Sequence, residues 1–334
     1  MKEIIKNLPI VGKVIVKIYE SFFKIKHFIV FTLLRKKIST FRWNKIRREL
    51  FSRFKNVENE EVQSLLNNIK KQGFVRVFNY PFVEKYDINC IQVKKDVGCE
   101  YYYVLHRMQD GEVHKIYFPK EWNEDVIRKA YHELLIEQDK DSPHCYENKN
   151  FPIEEGTIIL DFGVAEGNFS INHIKQAKHI YLFEGDSIWY DPLSLTFEKW
   201  KEKITIIPKF VADFCDNNYI SLQSFLQDIT FENEKIIFKM DIEGFEERTL
   251  SAGREAITRL ATLHNDITLI ICTYHSQDSE ANIRDILKTF STNDIEVSRG
   301  YMILNNFCEK PVWPYIRRGL VFAKVKEGRY FDGK

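Results

Sequence analysis

The chain lacks the features that mark disulfide-stapled, zinc-finger and membrane-spanning proteins. Its six cysteines form no Cys-x-x-Cys pair, and no histidine lies at zinc-finger spacing from them. The longest charge-free apolar run near the start, at 28–34, has seven residues, whereas a membrane-spanning helix needs about 20. That run lies behind several lysines, unlike the apolar part of a signal peptide. We therefore expect a protein of a reducing cytoplasm, in which cysteines such as Cys272 are small buried apolar residues.

The net charge of the chain is only +1 because the positive charge of a short first part cancels the negative charge of the remainder. Residues 1–55 hold 15 Lys or Arg against 3 Asp or Glu, whereas the remainder holds 34 against 45. Residues 1–56 are therefore predicted to be a separate basic, amphipathic helical segment. It suits either an anionic membrane surface, where each basic residue adds about 1 kcal/mol, or an acidic face of this protein or of a synthase. We expect such peripheral contact at the inner face of the membrane, and no nucleic-acid partner.

With 334 residues, 44% of them hydrophobic, the chain is long enough for a full α/β domain and an additional module. Residues 57–138 are predicted to form this small α+β module, with helices at 57–73 and 121–138. Its strands are predicted at 74–80, 88–94, 100–108 and 113–118. The turn-rich stretch 139–152 is the predicted boundary, and 139–334 form the main domain.

From residue 156 onward, predicted strands and helices alternate, which is typical of a parallel sheet with crossover helices. Strands are predicted at 157–161, 179–183, 204–211, 235–240, 267–272, 296–304 and 319–325. Helices are predicted at 167–177, 191–201, 221–228, 245–263 and 280–290. The last two strands have no helix between them and are predicted to form an antiparallel hairpin. The expected fold is thus α/β, with a mostly parallel seven-stranded sheet and a terminal antiparallel hairpin.

The first strand of this sheet is followed by a glycine turn. A strand, a glycine turn and a helix form the first unit of a nucleotide-binding sheet, and glycine is used where the backbone turns sharply or a ligand approaches closely. The spacing is Asp-x-Gly-x-x-x-Gly, which favours S-adenosylmethionine (SAM) over the pyrophosphate of NAD. Asp161, Gly163, Glu166 and Gly167 are therefore predicted cofactor-binding residues. Asp161 would anchor the amino group of SAM, directly or through water.

Two acidic residues at later strand ends extend the predicted SAM site. Glu184 ends the second strand, 23 residues after Asp161, and an ionised carboxylate there can accept hydrogen bonds from both ribose hydroxyls. Asp213 follows the third strand, where an adenine ring would lie. It either accepts a hydrogen bond from the exocyclic amine or belongs to a surface turn.

The fourth and fifth strands supply the candidate catalytic residues. Lys239, Asp241 and Glu243 alternate with apolar residues, so an extended chain presents them on one face. Such charges are costly unless they are used or paired, and a structural Lys–Asp pair is the alternative to a catalytic role. Tyr274 and His275 end the fifth strand. A histidine with a pKa of about 6.5 suits a general base for a hydroxyl, but His275 could instead bind a divalent cation together with Asp241 and Glu243.

These segments resemble the FkbM-type methyltransferases over roughly residues 140–325. The resemblance rests on Asp-Phe-Gly-Val-Ala-Glu-Gly-Asn-Phe-Ser at 161–170, Phe-Glu at 183–184, Lys-Met-Asp-Ile-Glu-Gly-Phe-Glu at 239–246 and Tyr-His at 274–275. It implies a Rossmann-like class I methyltransferase fold and SAM-dependent methylation of a hydroxyl on a sugar or a polyketide-type product. It also implies that Ser142 and His144 enter the site from the linker, and with Tyr274 they are the predicted acceptor-binding residues.

The function that we predict is O-methyl transfer from SAM to a sugar or glycan of a surface polysaccharide or a related natural product. His275 would be the base, next to Lys239, while Asp241 and Glu243 would orient the acceptor or a cation. One alternative is a non-catalytic SAM- or glycan-binding module that the basic segment anchors to a glycan synthase. It predicts an intact SAM pocket without methyl transfer. The other alternative, an NAD-dependent oxidoreductase, predicts stabilisation by NADH and not by SAM.

Overall fold

The structure, a computed structural model, describes residues 41–229, 231–290, 294–304 and 314–325. Most of the predicted basic segment, residues 1–40, lies outside the described residues. Residues 41–54 form helix α1, which packs against α2 (Glu60–Gln72) in a cluster that buries Ile46 and Leu50. This part of the segment therefore packs on the protein's own body. No helix in the described ranges has both the length and the apolar character that crossing a bilayer would require.

The module that follows is a three-stranded antiparallel sheet and a helix. Its elements are β1 (Val93–Lys95), β2 (Tyr102–Arg107), β3 (Val113–Phe118) and α3 (Glu124–Glu137). The predicted strands at 100–108 and 113–118 are confirmed as β2 and β3, which pair as an antiparallel hairpin. The predicted strand at 74–80 is wrong: the Asn79 side chain bonds the backbone of Arg76, and a 3-10 turn begins at Pro81. The strand at 88–94 is mostly wrong, because a 3-10 turn spans Ile88–Cys90.

The main sheet contains seven strands. The remaining strands of the chain are β4 (Thr157–Phe162), β5 (Ala177–Phe183), β6 (Ile204–Ile207), β7 (Phe210–Ala212), β8 (Tyr219–Ser221), β9 (Lys235–Met240), β10 (Asp266–Cys272), β11 (Asp294–Val297), β12 (Met302–Ile303), β13 (Ile316–Arg317) and β14 (Leu320–Val325). The main sheet has the order β6-β5-β4-β9-β10-β14-β11. Its pairings are parallel except that β14 runs antiparallel to both β10 and β11. The predicted mostly parallel sheet and its terminal antiparallel hairpin are therefore confirmed.

Two predicted strands are interrupted. The strand at 204–211 ends at Ile207 because Pro208 cannot donate a ladder hydrogen bond, and Phe210–Ala212 pairs instead with β8. The strand at 296–304 is also split. Gly300 has a left-handed φ of 81°, and the residues beyond it pair with β13, outside the main sheet.

The five predicted helices of the main domain are present but shorter. They are α4 (Asn168–His173), α5 (Tyr190–Thr196), α6 (Leu222–Gln227), α7 (Glu246–Ala261) and α8 (Ser279–Leu287). The helix predicted at 167–177 is shortened most, since Asn168, Ser170 and Asn172 have low helix propensity and β5 already begins at Ala177.

The module and the main sheet share one hydrophobic cluster. Val104 and Ile127 of the module pack in it with Ile159 and Leu182 of the sheet. All six residues of β4 are buried, as is typical of a parallel strand with both faces covered. The boundary at 139–152 stays a prediction about chain organisation. Because β4, β5, β9 and β10 pair in parallel, their carboxyl ends lie at one edge of the sheet.

Candidate active site

A buried ion pair crosses the centre of this edge. Asp161 and Lys239 are register partners on the adjacent strands β4 and β9, and Lys239 Nζ lies 3.0 Å from Asp161 Oδ1. The ammonium also donates to the carbonyl of Gly163 at 2.7 Å, and Asp161 Oδ2 accepts a bond from the Ser170 hydroxyl at 2.6 Å. Burial alone would lower the pKa of Lys239, but Asp161 and Asp241 outweigh it and raise that pKa. The pair thus joins the two central strands, and the anchoring of SAM by Asp161 stays a prediction.

The glycine turn after β4 is shaped by contacts within the protein. Gly163 has φ = 78°, and a Cβ there would lie 1.7 Å from the carbonyl oxygen of Asp241. Gly167 has φ = 79°, and a Cβ there would lie 2.8 Å from the Phe197 ring. Glycine is therefore needed at both positions, for a backbone conformation that side chains disfavour and for close packing. Close approach of a ligand at these glycines stays a prediction.

Replacing Gly163 by alanine should destabilise the protein and displace Asp241. The left-handed conformation costs about 1–2 kcal/mol with a Cβ, and the clash with the Asp241 carbonyl adds roughly 1–3 kcal/mol of overpacking. Gly156→Ala is the matched control, since Gly156 has φ = 81° and nothing within 4 Å of the added Cβ. Urea denaturation of both variants gives the comparison. Equal losses in the two variants would show that the contact with Asp241 is unimportant.

Glu184 holds the same turn from the end of β5. Its Oε2 accepts the backbone N–H of Ala165 at 2.8 Å, and its Oε1 accepts that of Asp186 at 2.8 Å. Ala165 has a left-handed φ of 47°, which costs free energy in a non-glycine residue, so the bond to Glu184 supports a strained position. Burial raises the pKa of Glu184, although the two N–H groups oppose this rise. Each carboxylate oxygen keeps a second lone pair for a further donor.

Asp241 is the centre of a hydrogen-bonded cluster just beyond β9. Its Oδ2 accepts a bond from the hydroxyl of Tyr146 at 2.7 Å, and its Oδ1 accepts one from Tyr274 at 3.0 Å. Burial alone would raise the pKa of this carboxyl, but the charges of Lys239 and His275 and the hydrogen bond from Tyr146 outweigh burial and lower it. Asp241 is therefore held as a carboxylate in a fixed orientation.

His275 lies between three carboxylates. Its Nδ1 is 3.2 Å from Glu246 Oε1, and its Nε2 is 3.5 Å from Glu243 Oε2 and 3.7 Å from Asp241 Oδ1. Among the described residues, neither ring nitrogen finds a partner at good hydrogen-bond geometry. Burial alone would lower the pKa of His275, but Glu243, Glu246 and Asp241 outweigh it and raise that pKa to about 10. The ring is therefore an imidazolium at neutral pH, unlike the neutral base assumed from the sequence.

The same carboxylates decide how a divalent cation could be held. Asp241, Glu246 and His275 can bring ligand atoms within 4.8 Å of one another, and so can His144, Asp241 and Cys272. Glu243, predicted as a ligand, has a side chain that is 90% exposed. Glu246 Oε1 already accepts the backbone N–H of Ile242 at 2.8 Å. A cation at Asp241, Glu243 and His275 stays a prediction, and a protonated His275 neutralises these carboxylates without one.

Of the two linker residues predicted from the resemblance, His144 reaches this cluster. His144 is buried, with its Nε2 3.9 Å from Asp241 Oδ2 and its ring against those of Tyr146 and Tyr274. Burial lowers the pKa of His144 to about 4, so this ring is neutral. Ser142 accepts the His144 backbone N–H at 3.2 Å and thus shapes the loop. Their binding of an acceptor stays a prediction.

Glu166 and Asp213, the two other predicted cofactor-binding carboxylates, lie in different surroundings from each other. Burial, with the nearby carboxylates, raises the pKa of Glu166 to about 7. Asp213 lies after β7 and accepts two bonds from the Arg248 guanidinium, at 2.9 and 3.2 Å. Contact of Asp213 with adenine stays a prediction, and its carboxylate already has an ionic partner.

Several residues of the cluster were missed in the sequence analysis. Tyr146 comes from an irregular segment without any motif. Glu246 stands in the Lys-Met-Asp-Ile-Glu-Gly-Phe-Glu motif, but no role was assigned to it. Arg317 donates to the carbonyls of Tyr274 at 2.5 Å and His275 at 3.0 Å, which fixes the end of β10. Only the position of Glu246 in the motif could have indicated its role.

Comparisons with known proteins give distant structural likenesses. No family model matches the chain, and no curated protein matches it. The fibrillarin pre-rRNA processing protein of Methanococcus jannaschii is 14% identical over 72% of this chain and 99% of its own, with a TM-score of 0.36. The N-methyltransferase NodS of Bradyrhizobium japonicum, in complex with S-adenosyl-L-homocysteine, is 10% identical over 63% and 90%, with a TM-score of 0.34. From its own strand order, the chain has the Rossmann-like class I methyltransferase fold.

Proposed function

We propose that this protein is a SAM-dependent O-methyltransferase that methylates a hydroxyl of a sugar or glycan. The observation that carries the proposal is the position of Asp241 and His275. They lie at the carboxyl edge of the sheet, where ligands bind in open α/β folds. The Asp241 carbonyl lies against Gly163 of the glycine turn, which Glu184 holds through Ala165, and His275 Nε2 lies 3.7 Å from Asp241 Oδ1. These positions support a site in which the donor and the acceptor meet at one edge of the sheet.

The donor half would be formed by the turn at 163–167 and by Glu184. The free lone pairs of the Glu184 oxygens can accept the two hydroxyls of a ribose, while the N–H groups of Ala165 and Asp186 hold the carboxylate in place. SAM, when bound, supplies an electrophilic methyl group. Glu166, in the same turn, presents a carboxyl on the side of Asp161 and Asp241.

The acceptor half would be formed by Asp241 and His275. In the reaction the acceptor oxygen bonds to the methyl carbon, the carbon–sulfur bond breaks, and the hydroxyl proton passes to a base. Asp241, fixed by two tyrosine hydroxyls, can orient the acceptor hydroxyl, and the Nε2 of a deprotonated His275 can take the proton. Positioning of this kind can supply up to roughly 7–11 kcal/mol of the barrier reduction.

Calorimetry with the purified full chain tests the proposal. We expect saturable binding of SAM and of its demethylated product, no binding of NADH, and transfer of a labelled methyl group to a saccharide. Binding of NADH without SAM would assign the fold to a dehydrogenase. SAM binding with no transfer to any saccharide would favour the non-catalytic module.

Glu184→Gln should weaken SAM binding about 10- to 100-fold, because hydrogen bonds to a charged group contribute about 1.5–3 kcal/mol. The measurement is the dissociation constant for SAM by calorimetry, with the melting temperature as a check on folding. Glu198→Gln, at an exposed glutamate beyond α5, is the control and should bind SAM normally. Unchanged affinity in Glu184→Gln would remove the ribose contact from the proposal.

A further inference from the structure

Two adjoining cavities lie on the module, and the smaller of them also reaches the main domain. The larger, of 410 Å³, is lined by residues that include Tyr86, Leu105 and Tyr131. The smaller, of 170 Å³, is lined by residues that include Asn172 and Tyr146. Tyr86, Arg107 and Leu135 line both, so the two cavities adjoin. Pockets of about 300–1,000 Å³ hold small-molecule ligands.

The smaller cavity ends at the candidate active site. Its wall contains Tyr146, whose hydroxyl donates to Asp241 at 2.7 Å. A molecule in this cavity would therefore be separated from Asp241 by one side chain. The module, for which the sequence indicated no role, thus lines a cavity whose inner end lies one side chain, Tyr146, from Asp241.

The walls combine apolar surface, aromatic rings and fixed polar groups. Leu105 is 47% exposed although it lies on a strand of the module's sheet. The Tyr131 hydroxyl bonds His106 Nδ1 at 2.9 Å, and His106 Nε2 lies 3.1 Å from Asn172 Oδ1. Such preformed polar groups among apolar and aromatic surface are typical of sites for small polar ligands, and a saccharide has both apolar C–H faces and hydroxyls.

Arg107 supplies a charge without an internal partner. Among the described residues its guanidinium makes one weak hydrogen bond, to the Gly111 carbonyl at 3.4 Å, and no ion pair. The nearest carboxylates along the chain, Asp110 and Glu112, are paired with Lys175 at 2.5 and 2.6 Å. The other cation of these walls, Lys85, is paired with Asp139 at 3.1 Å. Arg107 is therefore the cation that remains for a ligand, and a guanidinium binds carboxylate or phosphate oxygens through paired N–H groups.

We infer that the two cavities bind the acceptor, and that this acceptor is a saccharide carrying a carboxylate or a phosphate, which Arg107 recognises. The inference rests on the proposed function and specifies its acceptor. The saccharide ring lies along Tyr86 and Leu135 with a hydroxyl towards Tyr146 and Asp241, while the anionic group lies at Arg107.

Titration of the full chain with three saccharides in the absence of SAM tests the inference. Glucuronate and glucose 1-phosphate represent the two anions, and glucose is the neutral probe. We expect at least one anionic sugar to bind about tenfold or more tightly than glucose, since charge-assisted hydrogen bonds are the stronger kind. Preference for glucuronate alone would identify a carboxylate, and preference for glucose 1-phosphate alone a phosphate. Equal binding of all three, or of none, would overturn the inference.

Substitutions in the cavity walls test where the saccharide binds. Arg107→Leu should abolish the preference for the anionic sugar, whereas Lys129→Leu, at an exposed cation of α3 outside both cavities, should keep it. Leu135→Trp should fill the junction and lower binding of every saccharide at least tenfold. An unchanged preference in Arg107→Leu would refute the role of that residue, and full binding in Leu135→Trp would refute the cavities. Because SAM is absent, these results stand whether or not the separate calorimetry with SAM supports methyl transfer.

Discussion

Replacing His275 by glutamine is expected to lower methyl-transfer turnover by about 10²–10⁴-fold, the usual contribution of a general base. SAM affinity should stay nearly unchanged, because the donor half of the site is formed by other residues. The measurements are turnover with labelled SAM and calorimetry with SAM. His179→Gln is a matched control, since His179 lies near the amino end of β5, away from the site, and bonds Thr205 at 2.8 Å.

The surroundings of His275 predict how turnover depends on pH. With its pKa raised to about 10, the neutral ring that can accept a proton is scarce at pH 7. Turnover should therefore rise about tenfold per pH unit from 7 to 9, as expected for a base below its pKa. For stability the sign is opposite. The raised pKa contributes stability that is complete below the unfolded value of about 6.5 and is lost as pH rises through about 10.

Glu243→Gln separates the effect of Glu243 on the pKa of His275 from its predicted binding of a cation or the acceptor. This carboxylate is exposed and lies 3.5 Å from His275 Nε2, so its removal should lower the pKa of His275 and raise turnover at pH 7. If Glu243 instead binds a cation or the acceptor, the same variant should lose activity. Turnover that is unchanged in His275→Gln at every pH would exclude His275 as the base.

Replacing Lys239 by methionine is expected to lower the free energy of unfolding by about 3–5 kcal/mol, the cost of breaking a buried ion pair on one side. The Lys239 and Asp161 side chains are 4% and 1% exposed. Without the ammonium, the Asp161 carboxylate would keep only its bond from Ser170. Urea denaturation measures the loss.

Lys235→Met is the control on the same strand. Lys235 forms an ion pair with Glu154, and both side chains are about half exposed, at 47% and 49%. Exposed pairs typically contribute about 0–1 kcal/mol, so this variant should be nearly as stable as the wild type. Similar losses in the two lysine variants would contradict the account of the buried pair. The further change Asp161→Leu in the Lys239→Met background should recover part of the loss, since no buried carboxylate would then be left unpaired.

The mostly parallel sheet and its terminal hairpin were predictable because they depend on local and alternating signals. Apolar runs between turn residues located all seven strands, and the missing helix before the last strand indicated the antiparallel hairpin that β14 and β11 form. The errors arose where short apolar runs were predicted to be strands although no neighbouring strand in the described part of the chain pairs with them. Phe74 to Tyr80 has strand-like composition, yet a side chain of its own bonds the backbone there. Whether such a run forms a strand depends on which groups its backbone hydrogen-bonds, and composition does not show those partners.

For the site, the order of residues along the chain was enough to identify those that end the parallel strands, since the carboxyl ends of such strands lie at one edge whatever the loops do. Asp161, Glu184, Asp241 and His275 were therefore identified together. Which side chains these residues contact depends on how the chain folds. The fold brought Tyr146 to Asp241 from an irregular segment, and it placed Glu246 beside His275. The charge of His275 follows from those distances, because electrostatic energy depends on separation and burial, and neither can be read along a chain.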